Sequence, residues 1–392
     1  MEATSNHAPS VFDFGVNPLD PFPRRRVDWV TSSVRDQLRE RVRTSCPNVP
    51  GVYGMVDRRG DLIYVGKSKQ LRSRLLSYFA DSNAENKGGR IITGARTIQW
   101  ETQPSEFASL LREQQLIRRL TPRFNVQGVP KRQRPVYLCL GRRPATFFIA
   151  AKPPTGAMIA VEGPFYGAGR MTQAAELLNK TFRLRDCANK QVFHFAEQLS
   201  LFEMDYRPGC LRLETGTCLG PCAAACTRAE YDVAVNAAES FMDGFNHEPI
   251  VLTQDSFERA MENRQYELAG RLHASMKALE YVDRKLSMLA TARRTHSFVY
   301  DVAGFDGRRI WYLIQSGEVV DVLAPSKTGS LDKDSQAKLR LWKKRLKNRL
   351  GRGQGPHPHT LSIVAAWFRK HRDELQRTFQ PTARGTAPTK VA

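Results

Sequence analysis

Two short apolar stretches, Gly51-Val52-Tyr53 and Tyr64-Val65-Gly66-Lys67, decide the fold of the N-terminal part of the chain. Ten residues separate them, including the polar stretch Asp57-Arg58-Arg59-Gly60-Asp61, whose glycine indicates a hairpin turn. If Asp57 pairs with Leu62, Tyr53 and Tyr64 lie on one face of the hairpin as diagonal neighbours. A loop one residue longer or shorter places the two phenols on opposite faces.

The two tyrosines have two interpretations. Two phenols on one face, with Lys67 just beyond them, suit a site that handles protons. The same pattern also fits two strand tyrosines that pack a small sheet, because tyrosine is common in strands. The residues that follow the hairpin favour the first interpretation.

Two predicted helices follow the hairpin. The first covers residues 69–79 and carries Arg74, and the second runs from about residue 104 to Leu120 and ends before Pro122. Glu113 borders the apolar stripe of the second helix, where a carboxylate needs a cation or a hydrogen-bond partner. That stripe is predicted to comprise Phe107, Leu110, Leu111 and Ile117.

In this order and at this spacing, the segments resemble the GIY-YIG nuclease superfamily. They are most similar to the N-terminal nuclease domain of the bacterial excinuclease protein UvrC. The matching segments are Pro50 to Tyr53, Tyr64 to Lys67, Arg74, Leu110 to Glu113, and Pro122 to Asn125. Val52 stands where the superfamily name has isoleucine, which is a change between two apolar residues.

The resemblance implies a catalytic site of Tyr53, Tyr64, Lys67, Arg74, Glu113 and Asn125. It implies that Glu113 holds a divalent cation, Mg²⁺ or Mn²⁺, and that Arg74 holds the scissile phosphate. Tyr53 or Tyr64 is expected to be the general base; family mechanisms favour Tyr53, and the sequence leaves both open. A phenol has a pKa of about 10, so we expect Lys67 and the metal to lower it. Asn125 is expected to orient the site.

The resemblance continues beyond this domain and covers roughly residues 46 to 325. The further segments are Gly163-Pro164-Phe165, Phe182 to Cys187, Cys210-Leu211, Cys218 to Cys222, and Phe257 to Leu286. We find no match to the second, ribonuclease-H-type nuclease domain or to the helix-hairpin-helix motifs of the full excinuclease. The architecture is therefore most similar to the short Cho-type homologue, which has a single nuclease domain.

Four cysteines suggest a metal site: Cys187, Cys210, Cys218 and Cys222. Thiolates suit zinc or iron–sulfur clusters, but the spacing does not match the paired C-x2-C of common zinc modules. The resemblance implies a 4Fe–4S cluster. Zinc and four unligated, buried thiols remain the alternatives, and Cys226 can substitute for Cys187.

Residues 255–290 have the pattern of a helical hairpin, which is too small to bury its own apolar surface. Its partner is either the rest of this chain or another protein, and the resemblance implies the excinuclease protein UvrB. The predicted stripe of the second helix is Ala269, Leu272, Met276, Leu279 and Leu286. Farther on, residues 338–352 form a basic amphipathic segment that suits DNA phosphates, a protein groove or a solvated surface equally.

The composition agrees with a nucleic-acid partner. The 392 residues include 60 Lys or Arg and 39 Asp or Glu, giving a net charge of +21. Such a charge attracts polyanions without distinguishing DNA from RNA or an anionic membrane. No apolar run reaches about 18 residues and the first residues do not follow the signal-peptide order, so we expect no membrane span and a cytoplasmic location.

We therefore predict an α+β chain whose small nuclease domain has a mixed sheet flanked by helices. A Cys-rich, mainly helical region, the helical hairpin and a small β/helical C-terminal part follow it. The predicted parts are a flexible basic arm with a helix from Val27 to Val42 (1–45), the nuclease domain (46–128), the connector and Cys-rich region (129–250), the hairpin (251–290), a β segment (291–330), and a basic helix and tail (331–392).

The predicted function is that of a DNA-repair endonuclease. It hydrolyses a phosphodiester on the 3′ side of a lesion in damaged duplex DNA, together with UvrB. Two alternatives stay open: a junction or mobile-element nuclease on the same domain, and a non-catalytic adaptor that binds DNA and a repair partner.

Overall fold

A computed structural model describes residues 14–21, 26–80, 86–126, 135–142, 145–185, 187, 192–198, 209–325, 331–381 and 389–390. The chain divides into two compact units, one of residues 1–129 with 292–392 and one of residues 130–291. Residues 1–13 and 22–25 of the predicted basic arm lie outside the described residues, as do Lys131, Arg132, Arg134 and Arg143 of the predicted connector.

The first unit begins with a four-stranded sheet in the order β1-β4-β2-β3. Its elements are β1 (Val27–Thr31), α1 (Arg35–Ser45), β2 (Gly51–Asp57), β3 (Leu62–Ser68), α2 (Leu71–Ser77), α3 (Lys87–Gly94), β4 (Ala95–Thr102), α4 (Glu106–Leu120) and α5 (Arg123–Val126). All of its pairings among the described residues are antiparallel. The α+β class is confirmed, but the sheet is not mixed, because β4 runs antiparallel to both of its neighbours.

The β2–β3 hairpin has the register that the sequence predicts around the two tyrosines. Tyr53 pairs with Gly66 and Met55 with Tyr64, so the two phenols are diagonal neighbours on one face. A bulge after Met55 makes Val56, and not Asp57, the partner of Leu62. The irregularity lies at the turn and leaves the register at the tyrosines unchanged.

The N-terminal residues differ from the prediction. The helix expected from Val27 begins only at Arg35, and Val27–Thr31 is instead an edge strand paired with β4. Residues 14–21 pack onto the sheet and do not belong to a flexible arm, because Phe14 is buried against Val52, Val65 and Leu116. The strand is stabilised by pairing with a distant segment, which the local sequence does not show.

A buried ion pair fixes α4 against the sheet. Arg112 Nε donates to Glu101 Oε1 at 2.5 Å, and the two side chains are only 3% and 1% exposed. Gln103 Nε2 donates to the same oxygen at 3.0 Å, and the backbone amide of Gly15 donates to the other oxygen at 2.5 Å. The Glu101 carboxylate thus has several donors, as a buried charge requires. Glu113 directly follows Arg112, so this pair also positions Glu113.

The second unit contains a three-stranded antiparallel sheet in the order β6-β5-β7, followed by helices. Its elements are β5 (Pro135–Gly141), β6 (Phe147–Ala150), β7 (Met158–Tyr166), α6 (Ala168–Thr181), α7 (Leu211–Glu214), α8 (Arg228–Met242), α9 (Glu248–Glu262) and α10 (Tyr266–Thr295). The region was expected to be mainly helical, whereas β5, β6 and β7 form a sheet within the predicted connector.

The predicted helical hairpin is confirmed as α9 and α10, which are longer than expected. Leu279 and Leu286 are buried as predicted, whereas Leu272 and Met276 are only partly buried. Toward the turn, Met261 and Leu268 are 44% and 38% exposed. The buried contacts of this hairpin therefore lie mainly at the end distant from its turn.

The C-terminal residues of the first unit form a five-stranded sheet in the order β10-β9-β8-β11-β12. Its elements are β8 (Phe298–Ala303), β9 (Arg309–Gln315), β10 (Glu318–Leu323), α11 (Lys333–Leu346), α12 (Leu361–Lys370), β11 (Thr378–Gln380) and β12 (Thr389–Lys390). β8, β9 and β10 lie within the predicted β segment, and β8 pairs with β9 across the turn at Asp306-Gly307.

The two faces of this C-terminal sheet pack against different helices. On one face, Tyr300 and Tyr312 share a core with Phe107 of α4 and Trp367 of α12. On the other face, Trp311 and Leu313 share a core with residues of α11. The C-terminal sheet is therefore packed directly onto the helix that carries Glu113.

Candidate active site

Three phenols lie together on one face of the hairpin. The ring centroids of Tyr53 and Tyr64 are 6.2 Å apart, and Tyr78 lies 6.1 Å from the first and 6.2 Å from the second. The hydroxyls of Tyr53 and Tyr78 are hydrogen-bonded at 2.9 Å. The sequence analysis missed Tyr78. Its signal was the four-residue spacing from Arg74, which places both on one face of the helix that ends there.

Gly66 is required by the position of the Tyr53 ring. A Cβ atom on Gly66 would lie 2.5 Å from Tyr53 Oη and 2.6 Å from Tyr53 Cζ. These distances are too short for any larger residue unless the ring moves. The glycine between Tyr64 and Lys67 therefore makes room for the phenol of the neighbouring strand.

Arg74 places a fixed positive charge beside the phenols. Its guanidinium carbon lies 5.0 Å from the centre of the Tyr78 ring, and Nη2 donates to Tyr78 Oη at 3.5 Å. A guanidinium so placed offers further N–H donors that suit a phosphate oxygen.

Burial raises the pKa of Tyr53, Tyr64 and Tyr78, and the proximity of the phenols to one another raises it further. The positive charge of Arg74 lowers the pKa of all three, but burial is the larger effect. All three phenols are therefore neutral at pH 7. Lys67 is not among the groups that lower their pKa values. The expected lowering of a phenol pKa by Lys67 is thus not found in this structure.

Lys67 is instead held by a carboxylate. Its Nζ lies 3.6 Å from Glu106 Oε1, and Lys69 Nζ lies 2.8 Å from Glu106 Oε2. Burial opposes the charge of Glu106, yet the two lysines hold the pKa of this carboxyl below its usual value. Glu106, the first residue of α4, was also missed, since a carboxylate in a first turn usually signals only helix stabilisation.

The Glu113 carboxyl lies close to Lys67, Tyr64 and Arg74. Burial raises the pKa of Glu113 to about 7, although the charge of Lys67, a hydrogen bond from the Lys67 backbone amide and the charge of Arg74 oppose this. A poorly solvated carboxylate gains from a nearby divalent cation, and oxygen ligands suit Mg²⁺ or Mn²⁺. The chemistry of Glu113 therefore fits a metal ligand.

The side chain of Asn125 is hydrogen-bonded to the backbone of β3. The Val65 amide donates to Asn125 Oδ1 at 2.8 Å, and Asn125 Nδ2 donates to the Val65 carbonyl at 2.9 Å. Both ends of the side-chain amide are thereby used next to Tyr64. This arrangement suits the orienting role expected for Asn125.

The cysteines of the second unit influence one another electrostatically. Burial raises the pKa of the Cys218 thiol, and Cys222, Cys187 and Cys210 raise it further. Burial also raises the pKa of Cys226 to about 11. Across the described ranges, however, no group of three or more His, Cys, Asp or Glu is arranged to hold a metal ion. Cysteine thiolates are suitable ligands for zinc or an iron–sulfur cluster, but these cysteines are not positioned as ligands of one metal ion.

Two family models match the chain. Residues 49–126 match the UvrC-like GIY-YIG domain. This segment contains the three phenols, Arg74, Glu113 and Asn125. The family assignment follows.

Residues 49–126 form a UvrC-like GIY-YIG domain.

The second match lies beyond the GIY-YIG domain, where residues 137–241 match the middle domain of the UvrC/Cho excinuclease. The chain is also similar to two curated proteins named UvrABC system protein C. It is 32% identical to that of Nitrosomonas europaea over 61% of this chain and 38% of the relative. It is 32% identical to that of Desulfatibacillum aliphaticivorans over 66% of this chain and 41% of the relative. The chain thus spans about two fifths of the length of these relatives.

One solved structure with 30% identity is the GIY-YIG N-terminal endonuclease domain of UvrC from Thermotoga maritima, bound to its catalytic divalent cation, magnesium. The match covers 24% of this chain and all of that chain, with a TM-score of 0.22. In the part of this chain that the structure describes, no helix is both long and apolar enough to cross a membrane.

Proposed function

We propose that the chain is a metal-dependent endodeoxyribonuclease of nucleotide excision repair. Its GIY-YIG domain hydrolyses one phosphodiester on the 3′ side of a lesion in damaged duplex DNA. The observation that carries this proposal is the grouping of Tyr53, Tyr64, Arg74 and Glu113 around one half-buried corner of the hairpin. No residue that the reaction needs is replaced, and this argues against a non-catalytic adaptor.

Each side chain has a role that follows from its surroundings. Glu113 would hold a divalent cation, Mg²⁺ or Mn²⁺, which would polarise the phosphate and stabilise the departing 3′ oxygen. Arg74 holds the scissile phosphate through charge-assisted hydrogen bonds. Tyr53 or Tyr64 would accept the proton of the attacking water only as a phenolate, so the bound cation would have to lower its pKa. Asn125 keeps β3, and with it Tyr64, in position.

Tyr78 and Glu106 support this arrangement without touching the substrate. The hydroxyl of Tyr78 fixes that of Tyr53 through the 2.9 Å hydrogen bond. Glu106 holds Lys67 at the edge of the site. Fixed geometry of this kind matters because small displacements of catalytic groups are costly in rate.

The hairpin of α9 and α10 is the proposed contact with UvrB. Leu252, Met261 and Leu268 are exposed apolar side chains on it, at 41%, 44% and 38%. Exposed apolar side chains on adjacent helices suit a helical partner. A junction or mobile-element nuclease would have no need of this hairpin or of the UvrC/Cho middle domain.

Although the structure does not space them as ligands of one metal ion, Cys187, Cys210, Cys218 and Cys222 are the proposed ligands of a 4Fe–4S cluster, with zinc as the alternative. Support comes from Cys218 and Cys222, whose thiol pKa burial raises and the neighbouring thiols raise further. The cluster would stabilise the fold of the second unit and takes no part in the proposed hydrolysis.

The proposal is tested with a duplex that carries one bulky lesion and is labelled in turn on either strand and at either end. The chain is added with Mg²⁺, with and without UvrB. We expect one nick on the 3′ side of the lesion, dependent on UvrB and reduced by Leu252→Glu with Leu268→Glu. Absence of any nick, two nicks, or lesion-directed cutting without UvrB would contradict the proposal.

A further inference from the structure

Helix α11 has a basic outer face. Residues 333–352 include nine Lys or Arg and one Asp. Lys333, Arg340, Lys344 and Lys347 are exposed and follow one another at steps of seven, four and three residues. This spacing places them in one line along the helix. We call these four residues the basic stripe.

The opposite face of α11 packs against other parts of the chain. Leu339 and Trp342 are buried against the C-terminal sheet, at 3% and 0% exposure. Trp342 Nε1 donates to Asp321 Oδ2 at 2.9 Å, and Lys338 Nζ lies 2.9 Å from Asp321 Oδ1. The helix is therefore firmly held, and its apolar face is not available to a protein groove.

The charges of the basic stripe are not compensated. Among the described residues, none of the four has a carboxylate within ion-pair distance, whereas Lys338 on the inner side has one. Arg340 and Lys344 are four residues apart, and like charges at that spacing destabilise a helix. A helix that only has to be soluble usually mixes both signs on its outer face.

The helix dipole does not explain the whole stripe. Cations in the last turn of a helix are favourable, which accounts for Lys344. Lys333, by contrast, is the first residue of α11, where the dipole disfavours a positive charge. Concentrated cations that the helix itself does not favour indicate a ligand of opposite charge.

We propose that the basic stripe of α11 binds the phosphates of double-stranded DNA. The stripe spans 14 residues, or about 21 Å at the rise of an α-helix. Duplex DNA carries about one negative charge per 1.7 Å of its axis, so several phosphates lie within that length. Leu341 is the only large apolar side chain exposed on α11, which is too little for a protein contact.

This DNA contact lies outside the GIY-YIG domain. Naming DNA as the polyanion that the stripe binds rests on the proposed function. The stripe gives affinity without sequence preference, because phosphate contacts carry no base information. It lies in the same unit as the GIY-YIG domain, on a helix outside the residues that the two family models match.

The test measures binding of an undamaged, fluorescent duplex of about 40 base pairs by anisotropy, between about 50 and 200 mM KCl. The full chain carries Glu113→Gln to prevent cleavage. Arg340→Gln, Lys344→Gln and Lys347→Gln are combined in one variant. We expect its Kd to rise about tenfold or more, and the slope of log K against log salt to fall by about three. Each single replacement should lower the slope by about one.

The matched control combines Arg271→Gln, Lys277→Gln and Arg284→Gln, which lie on α10 and change the net charge equally. We expect it to alter Kd by less than about twofold. Equal weakening by both variants, or no weakening by the stripe variant, would overturn the proposal. The proposal would also be overturned if the stripe variant lost binding to phosphatidylserine vesicles while its DNA binding stayed unchanged. The experiment measures binding and not cleavage. If the chain binds DNA through the stripe but never cuts it, only the proposed nuclease activity is refuted.

Discussion

The ring of Phe107 on α4 lies 5.2 Å from the ring of Tyr300 on β8, edge to face. Tyr312 and Trp367 surround the same phenylalanine at 5.2 and 5.3 Å. The C-terminal sheet and α12 thus form an aromatic pocket for a side chain of the GIY-YIG domain. The helix that carries Glu113 is held on one side by its own sheet and on the other by residues about 200 positions later in the chain.

Phe107→Ala should therefore destabilise the first unit. Removing a buried phenylalanine costs about 3–5 kcal/mol through lost contacts and the cavity left behind. Urea unfolding followed by tryptophan fluorescence measures the change. Phe305→Ala is the control, because that side chain is 51% exposed and should change stability by no more than about 0.5 kcal/mol. Equal effects of the two variants would argue against the aromatic pocket.

Glu113→Gln should reduce cleavage by about a thousandfold or more, because it removes the charge that holds the cation. DNA binding should change little, since it depends mainly on the basic surface. Incision assays with Mg²⁺ and anisotropy binding measure the two effects separately. Asp36→Asn on α1 changes the net charge equally at an exposed position and serves as the control. Cleavage near the parent rate would remove Glu113 from the metal site.

Tyr78→Phe should lower the rate of cleavage by about 10- to 100-fold, with little effect on binding. The replacement keeps the ring but loses the hydroxyl that is bonded to Tyr53. Single-turnover incision rates at saturating protein provide the measurement. Tyr266→Phe is the matched control, at a tyrosine 66% exposed on α10. A Tyr78→Phe rate equal to that of the control would show that the hydrogen bond does not position Tyr53.

His359 should contribute a loss of stability as the pH decreases, opposite in sign to the contribution of Glu113, whose pKa is raised. Burial lowers the pKa of His359 to about 4, and the charges of Arg118 and His357 contribute to the lowering. Between about pH 6.5 and pH 4 the unfolded chain takes up this proton while the folded chain does not, so the free energy of unfolding decreases as the pH falls. The loss reaches at most about 3 kcal/mol, and partial exposure makes it smaller.

His359→Gln should make the free energy of unfolding fall less with decreasing pH than in the parent chain, because glutamine does not titrate. Thermal or urea unfolding at several pH values between about 4 and 7 reveals the slope. His273→Gln, on α10, should leave the slope as it is. The attribution to His359 is wrong if both variants retain the parent slope.

If the cysteines hold a 4Fe–4S cluster, protein purified without oxygen should be brown and contain roughly four irons per chain. Cys218→Ser should remove the colour and destabilise the second unit, because metal binding is coupled to folding. Cys46→Ser is the control, since Cys46 is buried in the first unit. Colourless protein with about one zinc would favour zinc, and metal-free, folded protein would exclude both.

The hairpin and its two tyrosines could be predicted because strand periodicity is local. A period of two and a short turn fix which side chains share a face, and the bulge at Met55 falls where the tyrosines are unaffected. Glu113 was predictable for a similar reason, since helical spacing showed a carboxylate next to an apolar stripe. In both cases neighbouring residues carried enough information.

The missed features depend on contacts between distant segments. The strand β1 exists because Val27–Thr31 pairs with β4, about 70 residues later, and its own residues did not indicate this pairing. Tyr78 joins the site only when α2 lies over the hairpin. The apolar stripe of α4 was expected, but nothing local indicated that Tyr300 and Trp367 would cover Phe107.

The contact between Gly15 and Glu101 bears on how this chain can be divided for experiments. A fragment cut at the family boundaries would keep all the proposed catalytic residues but lose Phe14 and the Gly15 amide. The Glu101 carboxylate would then lack one of its donors next to Arg112, the residue before Glu113. The same fragment would expose Phe107. A fragment that keeps the contacts of both Glu101 and Phe107 is therefore discontinuous in sequence, and it includes segments outside the quoted motifs.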